Sequence, residues 1–193
     1  MKRYLIPTLI ILVLASVVLV ACGHKSEAPA SPTPEQTTAQ LKSYCQEALP
    51  LMKQHTETTD TGNQVNRAFL EAYASGNRKE ILKALTDYRD TLEWAVSRVD
   101  STLLDFKKLV PPPEVRTYHS LVIEGLTKEQ YGLTKQLSYY SSVLLQGFGD
   151  DKELDDGNEL LLEAQKIWLQ AQYEFQDLLE QAGLQELLEK ARQ

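Results

Sequence analysis

Two thiols and three imidazoles are the side chains with the most specialised chemistry in this sequence. Cys22 closes an apolar run, whereas Cys45 lies inside a helical pattern, so the two are not read as a disulfide. A nucleophilic role for Cys45 needs a base beside it, yet only Lys42 is near in sequence and His55 is ten residues away. Cys45 therefore reads as a small core hydrophobe. The di-iron bundle pattern needs Glu-x-x-His pairs. Arg116 stands three before His119 and Met52 three before His55, so neither fits. His24 stands alone in a polar stretch. There is no His-Glu-x-x-His, no Cys-x-x-Cys, no nucleophile elbow and no phosphate-binding glycine loop. The acidic run Asp150-Asp151-Lys152-Glu153-Leu154-Asp155-Asp156-Gly157 suggests calcium. With Gly157 at the sixth place of an EF-hand loop, however, Lys152 and Leu154 fall where ligands belong. It reads as a solvated loop whose acids favour the start of the next helix. No catalytic residue, metal ligand or cofactor is expected.

The first forty residues carry a different chemistry. Lys2 and Arg3 precede residues 4–21, which hold no charge. A basic start followed by an apolar stretch is the layout of an export signal. The stretch is also long enough for an uncleaved membrane span. Leu19-Val20-Ala21-Cys22 resembles the lipobox of bacterial lipoproteins. The resemblance implies a diacylglyceryl (and later palmitate) modification at the Cys22 thiol and cleavage between Ala21 and Cys22. Residues 1–21 are then the signal peptide. Two acyl chains anchor stably where one is marginal. Gly23 lacks the inner-membrane retention signal that Asp carries in Gram-negative members of this class. The expected location is thus the cell membrane or the outer membrane, lipid-anchored, with the domain extracytoplasmic.

Residues 22–39 contain no large apolar side chain and should form a disordered tether reaching about 20 Å. The folded domain is expected over 40–193. The whole chain of 193 residues has a net charge of −7. Without Lys2 and Arg3, 18 basic residues face 27 acidic ones, giving −9. Such a surface argues against nucleic acid and against adhesion to anionic headgroups.

The periodicity predicts an all-α, up-down antiparallel four-helix bundle with long helices. Helix one (about 36–75) presents Leu41, Tyr44, Cys45, Ala48, Met52, His55, Val65, Phe69 and Tyr73. It is either one rod bent at Pro50 or two pieces broken within the polar stretch 56–62. Helix two (about 78–109) presents Ile81, Leu82, Leu85, Tyr88, Leu92 and onward to Phe106. Pro111-Pro112-Pro113 stops it. Helix three starts at Pro113-Glu114 and presents Val115, Tyr118, His119, Val122, Leu126, Leu133, Leu137, Tyr140 and Leu144. Helix four (about 153–182) turns Leu161, Ala164, Ile167, Trp168, Ala171, Phe175 and Leu179 inward, and Gly183 breaks it. Gly125 and Gly132 share one stripe, which suits either close packing or a gap for a ligand. His119, Tyr118 and Tyr140 are the candidate ligand-binding residues.

Leu109-Val110-Pro111-Pro112-Pro113-Glu114 followed by Tyr118-His119 resembles a feature of uncharacterised helical envelope lipoproteins, which implies a location but no chemistry. The Gly-x-His-x-x-Glu pattern of imelysin-like envelope proteins is missing around His119, so iron uptake is not implied. The expected role is a non-enzymatic binding or scaffold protein, held to the lipid bilayer by Cys22 and engaging an unknown envelope protein. The alternative is a small-molecule or metal-binding bundle serving a membrane partner.

Overall fold

The computed structural model describes residues 33–184 and Glu186. The lipobox and the expected signal peptide lie outside the described residues. Four long helices form an up-down bundle: α1 (Pro34–Ser75), α2 (Arg78–Lys108), α3 (Arg116–Gln146) and α4 (Asp151–Gln181). A 3-10 turn at Pro113–Val115 leads into α3. At 31 residues, α2, α3 and α4 are each about 45 Å long.

The first helix begins at Pro34, inside the stretch read from the sequence as tether. The cause is local. The Thr33 hydroxyl accepts from the Gln36 N–H at 3.3 Å, and the Thr33 N–H donates to Gln36 Oε1 at 2.9 Å. That capping box, with Pro34 in the first turn, satisfies end groups that would otherwise need water. From there α1 runs unbroken for 42 residues through Pro50 and the polar stretch. The threonines there do not break it. Thr56, Thr58, Thr59 and Thr61 turn their hydroxyls back onto carbonyls four residues earlier. Thr58 and His55 also face inward and are buried, so tertiary packing outweighs weak propensity.

Each end has an identifiable stop. Leu109 is extended, and the prolines that follow cannot donate to the last carbonyls of α2. The fourth helix begins at Asp151, with Asp150 as its cap accepting from the Lys152 N–H at 3.0 Å. The acidic run is thus helix rather than loop, two residues earlier than the pattern suggested. Gly183, at φ 68°, closes α4 in a Schellman turn: Leu184 N–H donates to Leu179 O at 2.8 Å, and Gly183 N–H to Glu180 O at 3.1 Å.

The largest core cluster sits toward one end of the bundle. It joins Leu41, Cys45 and Ala48 of α1 to Val99, Leu103 and Phe106 of α2. Val122 and Leu126 of α3 and Ala171, Phe175 and Leu179 of α4 complete it. Two side chains read as inward are not: Tyr73 is 67% exposed and Leu82 57%. Both lie near the Gly76 turn, and at the start of α2 the half-buried Ile81 faces inward in place of Leu82.

The closest helix pair is α3 with α4, and the glycine stripe is the reason. A Cβ on Gly132 would lie 2.8 Å from Leu161 Cγ and 2.9 Å from the carbonyl oxygen of Gly157. Gly157, the residue that sat at the sixth place of the calcium register, is buried against Gly132 instead. At Gly125 a Cβ would meet the Trp168 indole at 3.2 Å. Close packing therefore accounts for both glycines. The two should respond differently to alanine. Gly132→Ala forces a backbone shift costing about 1–3 kcal/mol, which the gain of about 1 kcal/mol in helix propensity offsets only in part. Gly125→Ala asks an indole ring to yield by a few tenths of an ångström. Chemical denaturation should show a net loss for Gly132→Ala and little change or a gain for Gly125→Ala.

Candidate functional site

Backbone packing runs α1 on α2, α2 on α3 and α3 on α4, whereas α1 reaches α3 and α4 mainly through long side chains. Three levels of contact make that connection.

At the first level, Tyr44 Oη lies 2.9 Å from His119 Nδ1. Both are buried, with Phe106 and Tyr118 rings around them. Tyr118 in turn stacks on Phe175 of α4 at 4.7 Å. Burial holds the His119 imidazole below its ordinary value of 6.5, so it is neutral. Burial also pushes up the Tyr44 and Tyr118 phenols, which stay protonated. The tautomer carrying its proton on Nε2 then lets the Tyr44 hydroxyl donate to Nδ1. Cys45, fully buried beside them, is pushed up to about 11 and has little thiolate character.

At the second level, near mid-bundle, His55 Nε2 lies 2.7 Å from Glu129 Oε2, and Trp168 Nε1–H donates to the same oxygen at 3.1 Å. The His55 and Trp168 rings stack at 4.5 Å and 28°. One carboxylate thus joins α1, α3 and α4, and Gly125 leaves the space in which the indole lies. Polar pairs continue around this level, with Gln54 bonded to Thr102 and Gln130 to Asp100. Arg98 Nε is the buried side-chain polar atom left without a partner among the described residues.

At the third level, Phe69 stacks on Tyr88 at 5.4 Å and meets Tyr140 edge-on at 6.0 Å. Tyr88, pushed up by burial to about 12, donates to Gln136, which donates to Asn158.

The candidate ligand residues therefore do not converge. His119 and Tyr118 share the first level, whereas Tyr140 lies 22 residues along α3, about 33 Å away. The notable hollow is an open groove of about 540 Å³ between α1 and the proline stretch, and none of these three residues lines it. Gln40, Ser43, Tyr44 and Glu47 line one side, and Lys108 to Pro113 the other. Tyr44 is the link: its hydroxyl binds His119 inside, and its edge lines the groove. The expectation did not single out Tyr44 and Glu129 as chemically important. The inward spacing of Tyr44 was legible, but Glu129 gave no signal, being one carboxylate among many.

No group of three or more His, Cys, Asp or Glu side chains among the described residues is placed to hold a metal ion. No described helix is long and apolar enough to cross a membrane. Cys22 and Ala21 lie outside the described residues.

The value of the mid-bundle tie can be measured. Glu129→Ala removes an acceptor shared by two inward-facing donors and should lower stability by about 1–3 kcal/mol in denaturant unfolding. Lys128→Ala breaks only the half-buried Lys128–Glu163 pair (2.6 Å), which solvent still screens, and should change the midpoint less than Glu129→Ala does. Equal losses in the two variants would contradict a special role for Glu129. Comparison with protein-family models, with curated proteins and with solved structures finds no match to this chain.

Proposed function

We propose that the chain is a lipid-anchored extracytoplasmic protein of the bacterial envelope, acting as a non-enzymatic binding or scaffold module. The observation that carries the reading is the lipobox Leu19-Val20-Ala21-Cys22, set between a basic-apolar leader and a folded domain whose first helix is capped at Thr33. The spacing supports a tether of only ten residues or so between lipid and domain, which keeps the bundle close to the membrane surface. The chemistry of the bundle is consistent with binding rather than turnover. Its buried phenols and thiol are held in their uncharged forms, and its buried imidazoles are engaged by Tyr44 and Glu129. Apolar side chains exposed on α4, Leu162, Leu169 and Tyr173, offer contact area to a protein partner.

The groove at Tyr44 favours a second reading, a small-molecule binder serving a membrane partner. Its volume falls in the range of ligand sites. It is open rather than enclosed, which places this reading second.

The anchor is tested in a bacterial host by labelling with a radioactive fatty acid. The natural chain should take up label and run at its processed size, and Cys22→Ser should do neither. An acylated, processed Cys22→Ser chain would refute the lipobox. The two roles are separated by thermal melting of residues 23–193 against metals and small metabolites. A ligand at a hundred times its dissociation constant adds about 2.7 kcal/mol, or about 5–10 °C at this size. The scaffold reading expects a flat screen, and a shift of that size would favour the small-molecule reading.

A further inference from the structure

Both histidines of the described domain tie α1 to α3, and their partners differ in kind. His119 meets a neutral phenol and His55 meets a carboxylate. The two ties enter α1 at Tyr44 and His55, three turns or about 16 Å apart. Pro50 lies between them, inside the helix and without an N–H to donate. A contact to a neutral phenol, a proline and a contact to a carboxylate thus follow one another along a single helix.

The consequences of a proton differ at the two ties. Protonated His119 loses the acceptor that Tyr44 uses and places a charge in the aromatic cluster. The ionisable groups of that cluster are Tyr44 and Cys45 on α1 and Tyr118 on α3, all kept uncharged by burial. The second and fourth helices contribute Phe106 and Phe175, which do not ionise. Glu47 and Lys108 stand outside, on the groove. Burial is the sole influence on His119, with no charged group compensating it. At His55 the contact is an ion pair whenever the imidazole carries its proton. Trp168 of α4 supports the same carboxylate, α2 presents the neutral Gln54–Thr102 pair, and Lys128 with Glu163 forms a neighbouring pair across α3 and α4.

We propose that α1 is an acid-responsive lever, in which Pro34 to Leu49 swings off α2 and α3 about Pro50 on acidification while the His55–Glu129–Trp168 tie holds the rest. Leu41, Tyr44, Cys45 and Ala48, all 4% exposed or less, would become accessible. The sign follows from linkage. His119 titrates below 6.5 in the closed form and near 6.5 once released. The closed form is therefore fully favoured above about pH 6.5 and loses ground as pH falls toward the lowered value, by up to about tenfold per pH unit.

Amide hydrogen exchange of the full chain in detergent micelles, at pH 7.5 and 5.0 and corrected for intrinsic exchange, tests the lever. Peptides covering 38–48 should lose protection about tenfold or more, while those covering 55–75, α3 and α4 keep theirs. His119→Gln, which bonds but takes up no proton, should erase the difference. A uniform loss over all four helices, no loss at all, or the same loss in His119→Gln overturns the proposal. Should His119→Gln fail to fold, alkylation of Cys45 in the natural chain decides. Measured relative to a free thiol at each pH, its rate should rise about tenfold at pH 5.0, and an unchanged relative rate overturns the lever.

Discussion

A buried imidazole must find a hydrogen-bond partner, and both imidazoles of the folded domain find theirs across the gap between α1 and α3. The rest of the arrangement follows from that requirement. Along α2, the first helix packs with its backbone near. Toward α3 and α4 the space is filled by rings and long side chains, and their polar tips must be satisfied. The mid-bundle carboxylate does so for two donors at once. Removing it would leave His55 and Trp168 both short of an acceptor, which is why one Glu outweighs several exposed ion pairs.

The opposite face of the bundle is organised by an absence of side chains. Gly132 and Gly157 let the backbones of α3 and α4 approach until each carbonyl would meet the other's Cβ. Gly125, two turns away, admits an indole instead. That indole turns toward α1 and reaches Glu129, one turn along the same face of α3 as Gly125, so the close packing there positions the polar tie. The glycine stripe is in this sense part of the same construction as the histidine tie, although the two lie in different interfaces.

The domain's phenols and its thiol are desolvated into their neutral forms, and His119 is held neutral beside a phenol. What distinguishes it is placement: a long helix capped at Thr33, and a groove beside the first contact between that helix and the bundle.

The sequence by itself determined the all-helical class, the inward faces of α3 and α4, and most of the helix ends, because a 3.6-residue apolar period and Pro or Gly stops are local signals. It also contained the capping box Thr33-Pro34-Glu35-Gln36, a local signal eclipsed by the lack of apolar residues around it. Tertiary structure alone decided three things. It decided that α1 is continuous through 56–62, because burial of His55 and Thr58 outweighs weak propensity. It decided that the glycine stripe is a contact, because the carbonyl of Gly157 occupies the space. And it decided which carboxylate matters, because many acids dot these helices and only Glu129 projects to where His55 and Trp168 meet. Pairing across a bundle depends on the rotation and axial register of helices far apart in sequence, and no spacing within one helix encodes that.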